Sequence, residues 1–194
     1  MIHLDIGIDL GGSMQPLLLK GDDACEYELK LAPMNDQKEI EVGFYEGQRA
    51  LVKDNILLGK MLLTHSEKLG PFVIDLHVKD GKMTASIENT VVETFTLSNE
   101  ANAFFILKES EKFVEEDKLI REREKERQEL KEYIYSTLHT LKEIDKIDKT
   151  VILDIIHKAE DVSYMDITID EIRSVQQELE GNINLFMNRV KKII

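Results

Sequence analysis

A single cysteine, Cys25, stands among 194 residues, so the chain can close no disulfide within itself. That usage suits a reducing, cytoplasmic setting. No apolar run approaches the ~20 residues that a membrane-spanning helix needs. The first residues also lack the basic-then-apolar order of a secretory leader. Positive charge is scarce: 25 Lys and Arg stand against 38 Asp and Glu, a formal net charge of −13. Acids exceed bases in both halves, so phosphate backbones and anionic lipid would repel the whole chain. Nucleic acid and membrane are therefore not expected partners. Proline occurs only at Pro16, Pro33 and Pro71, and neither proline nor glycine occurs from Ser98 to Lys146. Such a stretch favours one or two very long helices. An apolar content of 42% is ordinary for a folded protein and argues against wholesale disorder.

What is present divides the chain into two parts, 1–97 and 98–194. In the first, apolar residues alternate: Leu4, Ile6 and Ile8; then Tyr27, Leu29 and Leu31; then Ile40, Val42 and Phe44. Period two is the mark of a strand with one face buried. Gly11-Gly12, Gly21-Asp22-Asp23 and Gly70-Pro71 break the pattern, and Asp80-Gly81 is a strong hairpin signal. The stretch from Val42 to Leu63 reads as a strand ending at Tyr45, a tight connection at Glu46-Gly47, a polar crossing through Lys53-Asp54-Asn55, and a strand after Gly59. Ile74, Leu76 and Val78, then Met83, Ala85 and Ile87, then Val91 to Leu97, alternate again. About eight short strands without intervening helix predict an antiparallel β-sandwich.

From Ser98, read as a helix N-cap, the period becomes helical. Phe104, Phe105, Leu107, Phe113 and Val114 supply an apolar face. Arg121 to Glu129 carries no apolar side chain and reads as a solvated span. Leu130, Ile134, Leu138 and Leu141 resume the stripe. A further helix is expected from about Asp148, with Val151, Ile152, Ile155, Ile156 and Ala159. Thr168 to Glu171 is a capping box opening a last helix striped by Ile172, Val175, Leu179, Ile183, Phe186, Val190 and Ile193. The expected fold is α+β: a β-sandwich, a long helix and a small C-terminal helical bundle.

No catalytic constellation stands out. Gly7 to Ser13 is similar to the phosphate-binding hairpin of actin-like ATPases, but the βαβ units that context requires are absent, and a strand ending in a Gly-Gly turn suffices. His65, Asp75 and His77 lack metal-ligand spacing. Cys25 has no neighbouring cation to favour its thiolate. Asp22-Asp23 sits in a turn, where Asp is at home.

Two motifs carry a resemblance. Gly7-Ile8-Asp9-Leu10-Gly11-Gly12-Ser13-Met14 is similar to a G-I-E-T-x-G-G-x-M motif, one residue shorter. Tyr45-Glu46-Gly47-Gln48-Arg49, continuing through Asp54-Asn55 to Leu57-Leu58-Gly59, is similar to Y-E-G-E-R-x-x-x-x-D-N-x-L-L-G. With Gly70-Pro71 before Ile74, and Glu111-Lys112-Phe113 and Glu115-Glu116-Asp117 after Ser98, the chain resembles the C-terminal substrate-binding region of the seventy-kilodalton heat-shock chaperones. The resemblance covers nearly the whole chain.

It implies a non-catalytic module in which the sandwich holds an extended apolar segment of an unfolded polypeptide and the helical half closes over it as a lid. By position, Ile8, Leu10, Ile40, Val42 and Ile74 would line the channel. Leu10 with Pro33 or Met34 would arch over the bound backbone. Lys131 and Tyr135 would belong to the lid. No cofactor is expected in this chain; ATP and magnesium would sit in an ATPase domain absent from these residues, acting in cis alongside co-chaperones. A homodimer through lid helices, using the apolar residues around Leu130–Leu141, is a further expectation. The alternative is a divergent scaffold or nucleotide-exchange relative that binds partner chaperones without a working channel.

Overall fold

Among the described residues, the alternating half of the chain forms eight strands: β1 (Asp5–Leu10), β2 (Ser13–Leu18), β3 (Glu26–Leu31), β4 (Glu39–Gly47), β5 (Ile56–Thr64), β6 (Phe72–Lys79), β7 (Lys82–Ile87) and β8 (Thr90–Thr96). They belong to a computed structural model that describes residues 2–22, 26–31, 39–64, 72–144 and 147–193. Two four-stranded antiparallel sheets result, in the orders β2-β1-β4-β5 and β3-β6-β7-β8. Their inward stripes meet in one core. Ile6, Ile8, Val42, Phe44, Met61 and Leu63 come from the first sheet; Leu29, Ile74, Leu76, Val78, Met83, Ala85 and Phe95 come from the second. Each large side chain so buried contributes roughly 1.5–3 kcal/mol. The rings of Phe44 and Phe95 lie 5.2 Å apart and join the two sheets.

The turns follow local chemistry. Gly11 and Gly12 have φ of 68° and 96°, which lets Leu10 pair directly with Ser13. Asp80 and Gly81, at 50° and 71°, make the expected hairpin between β6 and β7. Glu88 and Asn89 make another at 50° and 62°, without the glycine that would have marked it in the sequence.

The stretch from Val42 to Leu63 departs from expectation. β4 runs on through Glu46-Gly47, which the sequence reads as a connection, and β5 begins at Ile56 rather than after Gly59. The cause is a register shift: Phe44 faces Gly59 while Tyr45 faces Leu57, so Leu58 is an extra residue in the ladder. A bulge breaks strict alternation and hides the strand.

The second half forms α1 (Glu100–Ser110), a 3-10 turn (Glu111–Phe113), α2 (Val114–Lys142), α3 (Thr150–Ser163) and α4 (Ile169–Ile193). The cap of α1 is Asn99, not Ser98: the Asn99 side-chain oxygen accepts the Asn102 N–H at 2.9 Å. Ser98 is engaged elsewhere, its N–H donating to Glu46 Oε2 at 2.8 Å. The capping box of α4 forms as expected, with Thr168 N–H on Glu171 Oε2 at 2.8 Å and Glu171 N–H on Thr168 Oγ1 at 3.3 Å.

The chain divides into two compact units, Met1–Lys118 and Leu119–Ile194. The change from strand to helix falls near Ser98, but the division falls inside α2, because the first turns of helix are tied to the β4–β5 connection. In the second unit, Leu130, Ile134 and Leu141 of α2 pack with Ile152, Ile156 and Ala159 of α3 and Ile172, Leu179 and Ile183 of α4. The run Arg121–Glu129 is not simply solvated. Arg173 of α4 lies 2.6 Å from Glu126 and 3.5 Å from Glu122, and Arg123 lies 2.9 Å from Asp166. Its partners are distant in sequence, so no local pattern announces them.

Candidate functional site

Along four strands the inward apolar stripe becomes more exposed toward the same end of the sandwich. On β1 Ile6 and Ile8 are buried, while Leu10, next on the same face, is 50% exposed. On β4 Val42 and Phe44 are buried and Ile40 only partly so; on β3 Leu29 gives way to Leu31; on β6 Ile74 gives way to Phe72. Strand direction puts them at one end of each sheet, and the two ends coincide: Ser98, just after β8, is held by Glu46 at the end of β4 away from Ile40, and Thr96 of β8 is level through Lys82 with Lys79, the end of β6 away from Phe72. β1 and β4 are antiparallel with Ile8 opposite Phe44, Leu31 faces Phe72, and Ile40 faces Leu63. Leu10, Ile40, Leu31 and Phe72 thus form an incompletely covered apolar rim.

Of the residues singled out in the sequence, Ile8, Val42 and Ile74 lie in the sandwich core and Ile40 packs against it. Leu10 projects from the rim instead. Pro33 and Met34 lie outside the described residues, as do Cys25, His65 and Gly70-Pro71. Sequence reasoning missed Leu31 and Phe72. Their signal was available in principle, since each continues the parity of a core residue two positions away.

The rim's turn is held from behind. Asp9 Oδ1 accepts the Gly12 N–H at 2.7 Å, Met14 N–H donates to Ala50 O at 2.8 Å, and Val52 N–H donates to Gly12 O at 3.0 Å. The β4–β5 connection is in turn stitched by one side chain. Asn55 Nδ2 donates to the carbonyls of Arg49 and Leu51, both at 2.8 Å, and its Oδ1 accepts the Arg49 N–H at 3.0 Å. Gly47 makes room for it, because a Cβ there would lie 2.0 Å from Asn55 Oδ1.

That connection also anchors helix, through residues the sequence reading left without a role. Asp117, 3% exposed, accepts Arg49 Nε at 2.8 Å and the Ala50 N–H at 3.1 Å. The Arg49 guanidinium lies 3.8 Å from the centroid of the Phe113 ring, with Asp54 at 3.7 Å and Glu116 at 3.9 Å. Glu46, 1% exposed, holds the Ser98 N–H at the other end of α1. Two buried carboxylates thus clamp the segment from Ser98 to Asp117 at both ends. Burying charges is tolerable only with partners of this kind.

Lys131 and Tyr135, both in the second unit, converge on Tyr164. The Lys131 ammonium sits 4.1 Å from the Tyr164 ring centroid. A hydrogen bond with the Tyr164 hydroxyl, then burial, push the Tyr135 phenol up to about 12. Among the described residues, no three His, Cys, Asp or Glu side chains come together in a way that could hold a metal ion. His77 is half-exposed, 4.0 Å from Glu26.

No family model matches the chain. It is 29% identical over 206 residues to a Heat shock 70 kDa protein of Emericella nidulans, a match covering 93% of this chain and 32% of that protein. It is 28% identical over 211 residues to a Heat shock 70 kDa protein of Neurospora crassa, covering 95% of this chain and 32% of the relative. The chain therefore spans about a third of the length of these curated relatives.

Proposed function

We propose that the chain is the substrate-binding part of an ATP-dependent molecular chaperone, capturing short extended apolar segments of unfolded polypeptides. The observation that carries this reading is the apolar rim at one end of the sandwich, supported by the likeness to heat-shock proteins over nearly the whole chain. An extended peptide would place one or two apolar side chains against Leu10, Ile40, Leu31 and Phe72. Burying one leucine there is worth roughly 1.5–3 kcal/mol. Together with backbone hydrogen bonds, that suits weak and reversible capture of many sequences. The chain's net charge of −13 favours segments flanked by basic residues. The module itself binds and does not transform; an ATPase domain in cis, in a cytoplasmic setting, would drive release with co-chaperones.

Fluorescence anisotropy with a short labelled Leu-rich peptide tests the reading. Saturable binding is expected at about tens of micromolar, with Leu10→Asp weakening it about tenfold or more. Absence of saturable binding in that range, or binding indifferent to Leu10→Asp, would sink the idea.

One observation favours a second reading, a scaffold or nucleotide-exchange relative that engages partner chaperones. Ile8, Val42 and Ile74 are all buried in a filled core. Under that reading, partner binding persists in the Leu10→Asp variant and no peptide is captured.

A further inference from the structure

The sequence offers the stripe around Leu130–Leu141 for self-association, but Leu130, Ile134 and Leu141 are buried within the second unit's own core. Another apolar surface is left open. On α1, Phe104 and Phe105 are 61% and 70% exposed, their rings edge-on at 5.9 Å. With Asn99, Glu100 and Ala101 they line a shallow depression of about 660 Å³. Ala103, on the opposite side of the helix, is the residue α1 buries. At 100° per residue, Ala101, Phe104, Phe105 and Lys108 share the outward face.

The charges around this patch are arranged oppositely about its centre. Glu100 lies on the N-terminal side of the phenylalanine pair and Lys108 on the C-terminal side. Neither has an ion-pair partner among the described residues. We propose that α1 is a self-association surface whose occupant is a second copy of this chain, docked with the two α1 helices antiparallel. A two-fold axis passing between Phe104 and Phe105 sets the aromatic pair of one copy on that of the other. It also sets Lys108 beside Ala101 and Glu100 of the partner subunit, and does so twice by symmetry. Antiparallel packing aligns the helix dipoles favourably as well. A parallel arrangement would instead bring like charges together. Large exposed aromatics at the centre with complementary charge at the edge is the composition of an interface core and rim.

One helix face is a small interface, so the dimer is weak and concentration-dependent. Sedimentation velocity on the 194-residue chain, from about 5 µM to about 500 µM, tests it. A reversible monomer–dimer equilibrium is expected. Phe105→Ser should raise the dissociation constant about tenfold or more. Lys108→Glu should weaken association too, and adding Glu100→Lys to it should restore it. Glu100 and Lys108 are both exposed, so the charge variants report even if Phe105→Ser perturbs folding. A monomer throughout overturns the proposal. So does a dimer untouched by Phe105→Ser with unchanged circular dichroism, or a double charge reversal that fails to restore association.

Discussion

Asp117→Ala is the most informative perturbation of the clamp. It deletes a carboxylate whose side chain is 4% exposed and leaves the Arg49 side chain, 12% exposed, without its nearest partner. The Ala50 N–H, 3.1 Å from the second carboxylate oxygen, is orphaned as well. Breaking a buried ion pair by removing one member costs about 3–5 kcal/mol, and an unsatisfied buried N–H costs about 1–3 kcal/mol. These do not simply add. Asp54 at 3.7 Å and Glu116 at 3.9 Å still surround the guanidinium, which keeps its place over Phe113. A net loss of about 3 kcal/mol follows, or a fall of roughly 6–12 °C in midpoint at 2–4 °C per kcal/mol for a chain of this size. Urea unfolding measures the loss, and hydrogen exchange locates it, with protection expected to fall across 98–118 and in the 48–55 connection. A double-mutant cycle with Arg49→Ala should return a coupling of about 1.5–3 kcal/mol. A loss below about 1 kcal/mol, or a coupling near zero, would mean the pair behaves like an exposed salt bridge, and the clamp reasoning would fall.

Two further outcomes are expected. Gly47→Ala places a Cβ 2.0 Å from Asn55 Oδ1, so Asn55 must leave and three hydrogen bonds go with it. A destabilisation of about 2–4 kcal/mol should appear in urea unfolding, and a neutral result would show that the connection has another way to hold its shape. In the helical unit, the Arg173 guanidinium hydrogen-bonded to Glu126 holds that carboxyl below its ordinary 4.5, and the Thr168 amide and hydroxyl do the same for Glu171. Groups whose folded values are depressed give stability that is present above 4.5 and lost as pH falls through the lower folded values. Thermal unfolding should therefore be nearly flat from about pH 7 to about pH 5 and decline below that. The double change Glu126→Gln with Glu171→Gln should flatten the decline, and an unchanged acid slope would assign it to other carboxylates.

How much of this was legible depends on the range of the forces involved. Strand alternation at Ile6-Ile8, Leu29-Leu31 and Ile74-Leu76, the Asp80-Gly81 hairpin and the Thr168–Glu171 capping box were readable, because each is set by residues within a few positions. Ser98 and Asn99 are both good caps, and only the buried Glu46, which takes the Ser98 N–H, decided between them. The bulge at Leu58 escaped because its cause is the pairing of β5 with β4, not the residues of β5 alone.

The candidate site divides the same way. Sequence parity named Ile8, Ile40, Val42 and Ile74 as inward-facing, but parity cannot tell a filled core from an open rim. That distinction rests on what the rest of the fold lays over each position, which left Leu10 half-exposed while Ile8, on the same face of the same strand, is buried. Although it did not place the break at Glu111–Phe113 between α1 and α2, the sequence by itself determined the α+β order, the faces of most strands and the acidic surface. These come from periodicity, capping and charge, which act locally or as a sum. Only the tertiary structure brought Asp117 to Arg49 and Ala50, and Arg173 to Glu126. Such pairs join residues far apart in the chain, and it is burial, which only the folded chain creates, that makes the Asp117 pair matter energetically.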